Sequence, residues 1–134
     1  MAAVREALGL KTEIVGVVSG QAPAYYESFV QRRPVERAAE TRLADGLACS
    51  TPEPEALDVI WRHVARVVTV TDDEVAEAMS ILFDDTHNVA EGAGAAAVAA
   101  LMREKEQLRG KRVAAVLTGG NVDRDVFAAV LQRQ

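Results

Sequence analysis

A run of small and β-branched residues that stops in a glycine turn, Val113-Ala114-Ala115-Val116-Leu117-Thr118-Gly119-Gly120-Asn121, constrains this chain more than any other segment. It reads as a buried strand, a turn and then an amphipathic helix marked by Val126, Phe127, Val130 and Leu131. Such a unit presents a hydroxyl and several backbone N–H groups at a strand's carboxyl end, which is where open α/β sheets hold ligands.

Two more runs read as strands: Ile14-Val15-Gly16-Val17-Val18 and Val67-Val68-Thr69-Val70. Helices separate them. Ala2 to Leu8 carries helix-forming residues without a good N-cap, as a cut helix would, and ends at Gly9. A short helix begins near Pro23 and is closed by Pro34, and Leu57, Ile60, Trp61 and Val64 form a core-facing stripe. Thr71 followed by Glu74 fits a capping box and opens a helix whose buried face is Val75, Ala78, Met79 and Leu82. Gly92 to Arg109 reads as a further helix, so rich in alanine that its backbone can approach a neighbour closely.

Three buried-type strands, each followed by helix, predict an α/β fold: a partial three-layer, open, mostly parallel sheet with helices on both faces. The length of 134 residues and 49 % hydrophobic content suit a single domain over residues 1–134. So narrow a sheet leaves edges that need a partner.

The formal charge of −5, with both signs interspersed, offers a nucleic acid no clustered positive surface. The longest low-charge stretch, Gly92 to Met102, is too short to cross a bilayer. Cys49 is the only cysteine and the first residues lack the apolar run of a signal peptide, so a cytoplasmic location is expected. His63 and His87 have no ligand spacing, and no metal site is expected.

Three segments, taken together, resemble the carboxyl-terminal part of the pyridoxal-phosphate-dependent serine/threonine dehydratases, members of the tryptophan-synthase-β-like enzymes. They are Ala44-Asp45-Gly46-Leu47-Ala48, Val89-Ala90-Glu91-Gly92-Ala93-Gly94-Ala95-Ala96 and Leu117-Thr118-Gly119-Gly120-Asn121. The resemblance implies part of that fold's large domain, incomplete relative to the catalytic unit, and pyridoxal phosphate as cofactor. It puts the Thr118 hydroxyl, where the family usually has serine, at the cofactor's pyridine nitrogen. Gly119 and Gly120 would let the backbone pass close to the ring, Asn121 would pin the turn, Glu91 would stand near the cofactor face and Gly46 beside the ring. Without the resemblance, Glu91 also suits the positive end of a helix and Asp45-Gly46 is a common turn pair.

The implied activity is β-elimination of a 3-hydroxy amino acid to a 2-oxo acid and ammonia. The family's Schiff-base lysine, substrate-carboxylate loop and phosphate loop precede the matching part. Lys11, Lys105 and Lys111 fall outside the matching positions, so no catalytic residue is assigned within the chain. Where some relatives hold a cation with two carboxylates, this chain has Val18 and Ala24. Two functions remain open: a dehydratase piece, inactive alone, or a non-catalytic binding or assembly module built on that fold. The expected partners are a second copy of the chain, giving a homo-oligomer, or a lysine-bearing amino-terminal subunit.

Overall fold

The computed structural model describes residues 1–133. Helix α1 (Ala2–Ala7) leads to strand β1 (Val15–Ser19), α2 (Ala24–Gln31), a loop holding one 3-10 turn at Asp45–Leu47, and α3 (Pro54–His63). Strand β2 (Arg66–Val70), α4 (Asp72–Thr86), α5 (Gly92–Arg103) and α6 (Arg124–Leu131) complete the order.

β1 and β2 pair in parallel, with Val17 opposite Val68. A parallel pair requires a crossover, and α2 and α3 supply it. Side chains alternate along a strand, so Val67 and Val70 point to opposite faces. Both are buried, at 9 % and 1 % exposure, which means that each face of the small sheet is covered. The fold is α/β with helices packed on a parallel sheet, as the sequence predicts.

The main core lies between α4 and α5. Val75, Ala76, Ala78 and Met79 meet Ala95, Ala96, Ala99 and Ala100 there, with Val70 and Val130 closing its ends. The methyl side chains of α5 hold the two helix backbones close, and the large side chain that fills the remaining space is Met79, which is fully buried. α4 starts on the capping box: Glu74 N donates to Thr71 Oγ1 at 3.2 Å and Thr71 N donates to Glu74 Oε2 at 2.8 Å. At the other side of the sheet Trp61 Nε1 donates to the Ser28 carbonyl at 3.2 Å, and Ser28 Oγ accepts from Val35 N at 2.9 Å. These bonds fix the chain where α2 ends, at Arg32, whose φ of 54° is left-handed.

Two expectations need correction. Val113–Leu117 forms no strand, and Val113, Val116 and Leu117 are 48 %, 52 % and 39 % exposed. Its β-branched composition is right for a ladder, but among the described residues the sheet consists of β1 and β2 alone, and an extended segment without a ladder partner is not held as a strand. The alanine-rich helix ends at Arg103 rather than Arg109. Glu104 is drawn out to Arg66, which donates to its two carboxylate oxygens at 2.6 and 2.7 Å, and Arg103 donates to the Thr69 carbonyl. Residues 104–110 continue as tight turns instead.

Candidate functional site

The head of α5 is the meeting point of the chain. Three stretches separated widely in sequence converge there: the loop around Asp45–Leu47, the first turn of α5, and the turn 118–121.

The first stretch is anchored from α4. Thr41 Oγ1 donates to Asp72 Oδ1 at 2.6 Å, Arg42 N donates to Asp72 Oδ2 at 2.9 Å, and Ala44 N donates to Thr41 Oγ1 at 3.1 Å. Ala44 is thereby fully buried and the following turn is laid on α5. Gly46 sits so near that a Cβ there would stand 2.8 Å from the Ala93 Cβ.

The third stretch is joined to α5 by its backbone. Glu91 N donates to the Gly119 carbonyl at 3.0 Å. A Cβ on Gly94 would lie 2.5 Å from that same carbonyl oxygen, and one on Gly120 would lie 2.6 Å from the Val89 oxygen. Real Cβ atoms do not approach to under 3.0 Å, so only glycine fits. The space freed at Gly119 is taken by the Glu91 carboxylate. Glu91 is the N-cap residue of α5 yet makes no side-chain cap bond. Its charge rests at the helix's positive end while its carboxylate lies along the glycine turn.

Of the residues singled out from the sequence, Gly46, Glu91, Gly119 and Gly120 are therefore held in one seam. Thr118 and Asn121 border it and are exposed, which leaves the Thr118 hydroxyl accessible. The missing Cβ atoms at 46, 119 and 120 are accounted for by protein neighbours, so these glycines first of all permit the seam to close. Asp72 escaped sequence reasoning. An acidic residue in a helix's first turn is ordinary, and its partners lie 30 and 31 residues away, beyond any local signature.

The lysines lie elsewhere. Lys105 follows the far end of α5, whose twelve residues span roughly 18 Å. Lys11 and Lys111 are exposed, before β1 and after the turns of 104–110. Cys49 is half-buried and its Sγ donates to the Thr51 carbonyl at 3.4 Å. No group of three His, Cys, Asp or Glu side chains among the described residues is placed to hold a metal ion, and no helix among them is long and apolar enough to cross a membrane.

Comparison with known proteins bears on this geometry. The family model for pyridoxal-phosphate dependent enzymes matches residues 1–119. The chain belongs to that family. Within the pyridoxal-phosphate dependent enzymes it is 31 % identical over 123 residues to the L-threonine ammonia-lyase of Thermotoga maritima, covering 92 % of this chain and 30 % of the relative. It is 37 % identical over 132 residues to the phenylserine dehydratase of Ralstonia pickettii, covering 96 % of this chain and 40 % of the relative. Among solved structures, the threonine deaminase of T.th. superposes with a TM-score of 0.83 at 28 % identity, over 91 % of this chain and 44 % of that one. The chain thus spans well under half the length of these family members.

Proposed function

We propose that this chain is the carboxyl-terminal part of a pyridoxal-phosphate-dependent catalytic unit that removes the β-hydroxyl of a 3-hydroxy amino acid, giving a 2-oxo acid and ammonia. The convergence of the loop at Gly46, the head of α5 at Glu91 and the turn at Thr118–Asn121 carries this reading. In it, residues 1–134 are one domain, incomplete by itself, and its place is the cytoplasm.

The donor set suits one end of the cofactor. An accessible neutral hydroxyl at Thr118 stands beside a glycine turn whose backbone is immobilised by α5. Thr118 Oγ1 would hold the cofactor's pyridine nitrogen by donating a hydrogen bond to it, and as a neutral group it would not keep a proton on the ring as a carboxylate would. Glu91 contributes a carboxylate on the same seam, and the Glu91–Gly119 backbone bond fixes how far Thr118 stands from α5. The bound cofactor supplies the electron sink for the pair left at Cα when its proton is removed. No lysine borders the seam, so the covalent anchor and the phosphate grip come from an amino-terminal partner subunit or segment.

The test is a pyridoxal phosphate titration followed by visible absorbance, with borohydride trapping and mass spectrometry. The chain alone should yield no saturable adduct at Lys11, Lys105 or Lys111. Mixed with the portion of the Thermotoga maritima L-threonine ammonia-lyase that precedes the matched region, it should shift the absorbance of cofactor bound to that portion. Thr118→Ser should keep the shift and Thr118→Val should lose it. A specific lysine adduct in the chain alone, or a Thr118→Val variant that behaves as the parent, overturns the reading.

A further inference from the structure

Backbone from two other parts of the chain grips the first turn of α5 on three sides. A Cβ on Gly92 would overlap the Leu43 carbonyl, standing 2.6 Å from its carbon and 3.1 Å from the Ala44 Cα. Ala93 meets Gly46, and Gly94 meets Gly119. With 3.6 residues per turn, successive helix residues point about 100° apart, so positions 92, 93 and 94 face three different directions. Two of these directions belong to the loop 41–47 and the third to the turn 118–121. A shift of the loop therefore moves the helix head, and the helix head carries the turn with it through the bond from Glu91 N to the Gly119 carbonyl.

One carboxylate fixes the loop. Asp72 is half-buried in the first turn of α4, and its two oxygens accept from three donors. Two are Thr41 Oγ1 at 2.6 Å and Arg42 N at 2.9 Å. The third is Gln21 Nε2, which lies 2.9 Å from Asp72 Oδ1 when the amide nitrogen is turned toward the carboxylate. Gln21 belongs to the loop that follows β1, and its main-chain carbonyl accepts from Glu40 N at 2.7 Å. Hydrogen bonds to an ionised acceptor are roughly twice as strong as those between neutral groups. Thr41 passes the hold onward, because its Oγ1 also accepts from Ala44 N at 3.1 Å, and this lays Leu43 and Ala44 on Gly92.

We infer that Asp72 is a positioning residue for the Thr118 hydroxyl, acting through Thr41, the contact of Leu43 with Gly92, Glu91 and Gly119. The inference rests on the proposed function for the use of that hydroxyl, and on the geometry alone for the route. Each step of the route is a hydrogen bond or a backbone contact. The Thr118 side chain is exposed, so its place is set by the backbone of its turn. An O–H donor reaches its acceptor over only about 2.5–3.0 Å, and a displacement of the turn by about half an ångström is enough to weaken such a bond. A carboxylate that never meets the cofactor thus governs how well one of its contacts is made.

The test uses the intact chain carrying Asp72→Asn, which keeps the side chain's shape and replaces one acceptor oxygen by an amide donor. Amide exchange at Glu91, whose N–H closes the seam, should quicken at least fivefold, and the backbone NMR signals of Thr118 and Asn121 should shift. Thr41→Val should reproduce both effects. The double variant should fall short of the product of the two single effects, since both act along one route. Ser28→Ala removes a buried bond on the other side of the sheet and controls for lost stability: it should leave the Thr118 signals in place. Mixed with the Thermotoga maritima portion and pyridoxal phosphate, the Asp72→Asn chain should need at least fivefold higher concentration than the parent to give the same absorbance shift. Unmoved Thr118 signals in Asp72→Asn, equal movement in Ser28→Ala, or a parent-like cofactor titration overturns the inference. If the parent chain itself gives no cofactor shift, the proposed function falls, and exchange and NMR on the chain alone still decide whether Asp72 places the turn.

Discussion

Replacing Gly94 by alanine tests the reading of the seam through the sign of a single number. Gly94 lies within α5, where alanine is favoured over glycine by ~1 kcal/mol, so an unobstructed Gly94→Ala change would stabilise the protein. The structure predicts the reverse. The new Cβ would stand 2.5 Å from the Gly119 oxygen and 3.0 Å from the Gly119 nitrogen, both backbone atoms that cannot rotate away. The turn must retreat by nearly an ångström, which carries the cost of overpacking, about 1–3 kcal/mol. The retreat also breaks the bond from Glu91 N to the Gly119 carbonyl, roughly 0.5–1.5 kcal/mol. Set against the helical gain, the net is a destabilisation of about 2 kcal/mol, or about 8 °C in Tm for a chain of this size. Urea unfolding gives the magnitude, and amide exchange at Glu91 reports whether the seam has opened. A variant as stable as the parent, with Glu91 still protected, would refute the account of the three-way packing.

Two further predictions follow from the anchoring side chains. Asp72→Ala removes the acceptor for Thr41 and Arg42, so exchange should quicken across residues 41–47 and stability should fall by about 1–2 kcal/mol, while the capping box at Thr71 keeps α4 intact. The Glu104 carboxyl is held below its usual value near 4.5, first by its hydrogen bonds to Arg66 and against the opposing effect of burial. A depressed folded value means the contribution is present above that usual value and lost as pH falls through the folded one. Arg66 is raised by the same bonds from a value already far above neutrality, so it does not titrate in this window. Glu104→Gln should therefore cost about 1 kcal/mol at pH 7, modest because the Arg66 side chain is 39 % exposed, and its effect should fade in urea titrations as pH drops below the usual carboxylate value.

What could be read in the sequence is what local chemistry determines. The Thr71–Glu74 box, the β-branched runs of β1 and β2 and the alanine face of α5 each carry their signal within a few residues, and each forms where expected. Gly46, Glu91 and the 118–121 turn could be singled out by pattern, and they meet. Their immediate packing could not, because a glycine's neighbours across a seam leave no trace in its own surroundings. The segment 113–117 fails for a related reason. Strand composition is a local property, whereas strand formation belongs to a pair, and among the described residues no strand pairs with this segment. Arg103-Glu104-Lys105-Glu106 would continue a helix by propensity, but Arg66 and the Thr69 carbonyl, distant in sequence, draw the first two of these side chains toward the sheet.

The closeness of α5 to the glycine turn also bears on how such a protein can vary over generations. The Gly119 backbone takes the clearance that Gly94 leaves, and Glu91 fills what Gly119 leaves free. A side chain at Gly94 would meet backbone that cannot rotate away, whereas one at Gly119 would meet the end of the flexible Glu91 side chain, so the barrier to a single substitution falls on Gly94. Change at Gly94 would have to be matched by a retreat of the turn, whereas change at Gly119 would need only a new place for the Glu91 side chain.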